Sequence, residues 1–209
     1  MSIESYGDAD RVFRRALAAS ALAYTVCHHL GLLPSGLGSG PRGTQWADWL
    51  DLLVPWLVLV PAACALWAAA VGPRVWIAFG AGALAYASGH GIHLAANSVG
   101  NAAPGPTAHL WDEVVGHYIW FAGVALVVAA LALAMTGRPC AGVVGHVLAV
   151  GVGLTWATNA IGGGTVRFSL VIAVAVIAFG WRNRRTMAGV LWVGFAPAVC
   201  VLVAELIVG

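Results

Sequence analysis

Seven long apolar runs, parted by a few residues of Gly, Pro, Asn or Arg, limit what this chain can fold into more than any other feature. They cover about 12–33, 49–71, 74–98, 110–136, 140–161, 165–181 and 187–208, each near the ~20 residues that a helix needs to cross a bilayer. Inside lipid every backbone N–H and C=O must be bonded within its own element, so single apolar stretches of this length are read as helices. The breaks LPSGLGSGPRG, VGPR, NAAPGP, TGRP, GGG and RNRR have turn chemistry. The expected fold is all-α: a polytopic membrane bundle of about seven transmembrane helices. Residues 1–11 are expected to be a polar, mobile N-terminal tail, and 12–209 a single transmembrane domain. Its principal partner is the lipid bilayer, and the expected location is a bacterial or archaeal cytoplasmic membrane, crossed several times.

Composition narrows the function classes. The 209 residues are 61% hydrophobic and 9% charged, with a mean hydropathy of +0.89, whereas an average soluble domain has roughly 25% charged residues. A formal net charge of +2 is too small to indicate a nucleic-acid partner. All ten basic residues are Arg, which excludes any mechanism that needs a lysine Schiff base. No short apolar h-region with a small-residue cleavage site opens the chain, so its first apolar run is read as a retained span. Cys27, Cys64, Cys140 and Cys200 lie far apart with no CxxC, the pattern of small buried residues rather than of a redox or disulfide framework.

The arginines orient the bundle, because basic loops are retained in the cytoplasm. With the N-terminus inside, Arg11, Arg14, Arg15, Arg74, Arg138, Arg182, Arg184 and Arg185 are cytoplasmic, and only Arg42 and Arg167 are outside. Seven spans then put the C-terminus outside. On this topology His28, His29, Asp48, Asp51, His90, His93, Asn97, Asp112, Glu113, His117, Thr155, Asn159, Arg167 and Glu205 all fall in the outer half. His146 is the main exception. An ionisable side chain at the bilayer centre costs at least ~2.5 kcal/mol and persists mainly when paired or functional, so the segregation implies one polar cavity at the outer face.

The stretch from Tyr86 to Trp120 is its centre. On a helix Tyr86, His90, His93 and Asn97 share one face at i, i+4, i+7 and i+11, and His109, Glu113, His117 and Trp120 share a face of the next. A short loop makes the two helices antiparallel neighbours whose polar faces can meet. Imidazoles and carboxylates are the ligands that zinc, iron and copper take, and facing helices of a bundle commonly assemble such sites. His90, His93 and His117 are the leading candidate ligands, with Asp112 or Glu113 as a fourth ligand or general base. Asn97 and Tyr86 would orient ligands or substrate. His28 and His29 point about 100° apart on a helix, so one of the pair faces the cavity as a further candidate ligand. Asp48 reads as a helix N-cap beside the interfacial Trp46, Trp49 and Trp56. Trp120 and Trp156 would line an apolar pocket beneath the cluster, and Glu205 would pair with Arg167 or a cavity histidine.

The run Ser88-Gly-His-Gly-Ile-His93, followed by Asp112-Glu113 in the next helix, resembles part of the CREST superfamily of seven-helix membrane hydrolases, which includes the alkaline ceramidases and adiponectin receptors. The resemblance covers about 30 of the 209 residues. It implies a zinc-binding histidine at His93, an aspartate at Asp112 and a serine at Ser88. The family's second histidine pair belongs on the last helix, which has none here, so further ligands would come from His90, His117 or the His28/His29 pair.

Together these readings lead to an intramembrane metalloenzyme, zinc being the first choice of metal, that hydrolyses a lipid-like ester or amide reaching it from the outer leaflet. An iron- or copper-dependent oxidase uses the same ligand types. A haem- or metal-binding membrane protein or transporter is the alternative of a different class, although an inner half so short of polar groups argues against transport. The substrate is expected to be a hydrophobic small molecule or lipid. Nothing in the sequence sets the oligomeric state.

Overall fold

The computed structural model describes residues 3–29 and 33–209, and within them the chain is helical with no strand. In order the helices are α1 (Ile3–Cys27), the short α2 (Trp46–Asp51), α3 (Val54–Ala68), α4 (Pro73–Ala102), the single-turn α5 (Pro106–His109), α6 (His117–Met135), α7 (Val143–Gly162), α8 (Val166–Arg182) and α9 (Val190–Val208). A π-helical segment, Leu110–Gly116, joins α5 to α6. Each of the seven long helices overlaps one of the seven apolar runs, although α1 begins before the first run and ends at Cys27, and residues 30–32 of that run lie outside the described residues. Prolines stand in the first turns of α3, α4 and α5, where a missing N–H costs nothing.

Four stretches are long and apolar enough to cross a membrane: Trp46–Ala68, Pro106–Met135, Val143–Gly162 and Met187–Val208. Helix α1 carries Asp8, Asp10, Arg11, Arg14 and Arg15 in its first half, α4 carries two histidines and two asparagines, and α8 has 17 residues. The bundle's outside is apolar, with Trp67 81% exposed, Val143 80% and Leu84 73%, a surface made for an apolar solvent.

One expectation fails at the start. Helix α1 begins at Ile3, inside the stretch read as a mobile polar tail. Its opening turns are held by Asp8–Arg11 at 3.6 Å and Asp10–Arg14 at 2.6 Å, spaced i,i+3 and i,i+4. Arg138, from the loop after α6, also donates to Asp10 at 2.5 Å. The Arg14 guanidinium, with Arg138 beside it, holds the Asp10 carboxyl below its ordinary pKa.

Helix α1 packs on α3 and α7, α9 on α7 and α8, and α4 on α6. The last pair meets along glycines: Gly82 and Gly89 of α4 face Gly123 and Gly116 of the π segment and α6. A Cβ at Gly89 would strike the Trp120 backbone and one at Gly123 the Tyr86 backbone. One at Gly116 would lie 2.9 Å from the His93 nitrogen. Both glycine pairs are seven residues apart, two helical turns, so they form a continuous seam along which the backbones touch. This contact brings His90 and His93 of α4 up to His117 and Trp120 of α6.

Candidate functional site

Trp120, buried on α6, is the hub of the site. Four imidazoles surround its indole: His28 at a centroid distance of 5.2 Å, His90 at 4.8 Å, His93 at 5.8 Å and His117 at 5.6 Å. His28 and His117 lie nearly parallel to it, and His90 stands edge-on. His93 and His117 are 4.4 Å apart, His28 and His90 5.6 Å, and His90 and His93 6.3 Å. The four rings come from three parts of the chain: the end of α1, the C-terminal half of α4 and the start of α6.

Each ring has a polar neighbour. His93 Nδ1–H donates to Asp112 Oδ1 at 2.5 Å, which fixes its tautomer and leaves Nε2 with the lone pair. His90 Nε2–H donates to the Asp51 carbonyl oxygen at 3.1 Å, and the Asp51 carboxylate lies 3.4 Å from the same nitrogen. Tyr86, fully buried, hydrogen-bonds His28 Nε2 through its hydroxyl. His117 Nδ1 is 3.6 Å from Glu113 Oε2, beyond a hydrogen bond. The cluster therefore contains buried polar atoms with no partner among the described residues: His90 Nδ1, His117 Nδ1 and Asp51 Oδ1. Orphaned atoms of this kind each cost about 1–3 kcal/mol and call for something to satisfy them.

The π segment explains why Asp112, rather than Glu113, reaches His93. Its hydrogen bonds close over five residues instead of four, so the wider turn carries Asp112 inward toward the face of His117, five residues on. Regular α spacing puts Glu113 on that face. In the structure the Asp112 side chain is 13% exposed and that of Glu113 is 39%. Glu113 is thus the acid that water can reach.

The remaining candidates are scattered around this core. His29 turns away from the indole, its Nε2 donating to Thr155 Oγ1 at 3.3 Å, and Thr155 donates in turn to the Thr25 carbonyl at 3.4 Å. Asn97 is half-buried and contacts Asn101 at 3.4 Å. Ser88 is exposed on α4 and takes no part in the cluster, because its neighbours Gly89 and His90 are the residues that face α6. His109 is exposed at the end of α5. Asp48 is not the N-cap of α2: Gln45 is, and Asp48 closes a capping box from the third position, accepting the Gln45 N–H at 3.0 Å. Its other contact is Ser98 Oγ, which donates at 3.2 Å and ties α2 to α4. Glu205 is half-buried and makes no ion pair among the described residues, and Arg167 is exposed. Cys64, Cys140 and Cys200 are exposed on the bundle's outside rather than buried, where a small apolar thiol faces the same surroundings as its Ala and Val neighbours.

Sequence reasoning placed Asp51 among the cavity's polar groups without giving it a partner, and passed over Gly163, whose Cβ would overlap the His117 ring. The seven-residue recurrence of Gly82/Gly89 and Gly116/Gly123 was the readable sign of the α4–α6 contact. No three His, Cys, Asp or Glu side chains among the described residues converge closely enough to hold a metal ion. The donor types suit one, and the unpartnered nitrogens of His90 and His117 are the atoms a metal takes.

This chain matches no family model, no curated protein and no solved structure.

Proposed function

We propose that the chain is an intramembrane hydrolase of a lipid-like ester or amide, working at the histidine cluster around Trp120. The observation that carries this reading is the set of buried, unpartnered donor atoms, His90 Nδ1, His117 Nδ1 and Asp51 Oδ1, beside an Asp112-oriented His93. All seven long helices cross the bilayer in this reading, with the arginine-rich end cytoplasmic and the cluster in the outer half. The resemblance to the CREST hydrolases accords with it through His93 and Asp112 only, since Ser88 lies apart.

Zinc is the metal proposed, and His90, His93 and His117 are the residues that would hold it. Bound there it would supply a Lewis acid and an activated water. The chain's own residues do the rest. Asp112 and Asp51 set the tautomers of His93 and His90. Glu113, partly exposed, takes a proton from water, and Trp120 with Tyr86 walls the cluster off from the apolar interior. A second reading, favoured by the 2.5 Å contact of His93 with Asp112 and by the absence of a convergent triad among the described residues, is metal-free general-base catalysis by the His93–Asp112 dyad.

The test is elemental analysis and a visible spectrum of protein purified in mild detergent without an immobilised-metal column, beside a His93→Ala/His117→Ala double variant. About one zinc per chain, lost in the variant, supports the metallohydrolase. Iron, copper or a haem band moves the function to redox chemistry. Folded wild type without metal that still cleaves a fluorogenic lipid ester, and loses this in Asp112→Asn, supports the dyad. Neither metal nor cleavage sinks the hydrolase.

A further inference from the structure

Below the histidine cluster, toward the arginine-bearing end, a cavity of about 410 Å³ runs between α1, α6, α7 and α9. On α1 it is lined by Arg14, Leu17, Ala18, Ala21 and Tyr24. At 1.5 Å per residue the stretch from Arg14 to Tyr24 makes it about 15 Å long. Its far end is Tyr24, Tyr86, Val124 and Trp156, directly under the cluster, because the Tyr86 hydroxyl is the group that bonds His28. The walls are mostly apolar, and the hydroxyl of Ser20, which also lines them, is satisfied by donating to the Val58 carbonyl at 2.9 Å. The volume falls within the roughly 300–1,000 Å³ of ligand pockets, and empty apolar space on this scale forfeits the contacts that hold a bundle together.

The two ends differ in charge. Arg14 stands at the near end, where one carboxylate, Asp10, serves two guanidiniums, Arg14 at 2.6 Å and Arg138 at 2.5 Å. Among the described residues, this trio carries one positive charge in excess. The first turn of α7, Val143 to Gly145, lines the same end and points the positive end of its dipole there. We infer that this cavity is a binding site for one hydrocarbon chain of an anionic membrane lipid, its head group at Arg14 and its chain tip against Tyr86. Such an occupant would brace Tyr86, and through it His28. The site stands independently of whether the cluster hydrolyses anything.

The full chain, reconstituted in nanodiscs of phosphatidylcholine, can be photolabelled with a small fraction of phosphatidylglycerol that carries a diazirine at the tip of one acyl chain. Label is expected on Tyr24, Tyr86, Val124 or Trp156 rather than on lipid-facing residues such as Trp67 and Ile207. Ala21→Trp, and independently Val152→Phe should the first variant not fold, should abolish the cavity label and leave the surface label unchanged. Arg14→Gln should lower labelling about fivefold, the factor that corresponds to ~1 kcal/mol per interfacial arginine. Label spread evenly over the outside, or cavity label that survives both fillings in folded protein, overturns the site. Equal labelling by the same probe with a phosphatidylcholine head overturns its anionic character.

Discussion

Two packing regions of α6, its seam with α4 and its side toward α1, α7 and α9, contrast in how closely their helices approach. Between α4 and α6 four glycines let the backbones touch, and a Cβ added at any of them would lie 2.9 Å or less from the facing helix. Between α1, α6, α7 and α9 the same small residues, Ala18, Ala21 and Gly145, leave a gap of about 410 Å³. Small residues therefore do two different things here. Where they face one another they draw helices together, and where they face larger side chains spaced apart they leave room for a guest. The first contact positions the histidines. The second lies beneath them and is open to a lipid chain.

The contrast can be broken at its tight side first. Gly89→Leu should be the most damaging change, because its Cβ meets the Trp120 backbone rather than a movable side chain. Overpacking of this kind costs at least about 1–3 kcal/mol, so thermal unfolding in detergent should show a lower midpoint or no folded bundle. Gly91, two residues along the same helix, has open space at its Cβ. Gly91→Ala should be neutral or stabilising by about 0.5–1 kcal/mol.

Asp112→Asn comes next. It weakens the hydrogen bond that sets the His93 tautomer, at a cost of about 1–3 kcal/mol, and should abolish turnover or metal uptake. Glu113→Gln should leave stability within about 0.5 kcal/mol of wild type, since its carboxylate is 39% exposed and 3.6 Å from His117. The reverse order of effects would show that the π segment does not select Asp112.

On the loose side, Ala18→Leu adds side chain where the cavity has room and should change stability by less than about 0.5 kcal/mol. A loss like that of Gly89→Leu would mean that the gap closes in the membrane.

The smallest effect is electrostatic. The Asp10 pKa is lowered in the folded chain, chiefly by its hydrogen bond to Arg14. Its contribution is therefore complete above the unfolded value of about 3.9 and is lost as the pH falls through the lower, folded value. Asp10→Asn should lower the unfolding midpoint slightly at pH 7 and by less at acid pH. An unchanged difference across that range would count against the ion pair.

Much of this was legible in the sequence. The seven apolar runs recur as seven long helices, because length and apolarity leave a buried backbone no other way to bond itself. The faces formed by Tyr86, His90 and His93, and by His117 and Trp120, are where periodicity put them. Periodicity put Glu113 on the His117 face and left the choice between Asp112 and Glu113 open, since a single wide turn in a helix leaves no periodic trace; only the resemblance pointed to Asp112. Asp51 was not legible as the partner of His90, which it reaches from a different helix, across 39 residues of chain. Ser88 failed for the converse reason: motif spacing names a neighbour in sequence, and a helix turns neighbours to different sides.

The sequence by itself determined the helical architecture and the clustering of polar groups at one end, because both follow from hydrophobicity and helical period, which are local. Only the tertiary structure decided which acid meets which histidine, that Trp120 is their common centre, and that a cavity lies below. Those depend on how closely backbones approach and on the rotation of each helix about its axis. Both are set by packing between residues that are far apart in the chain.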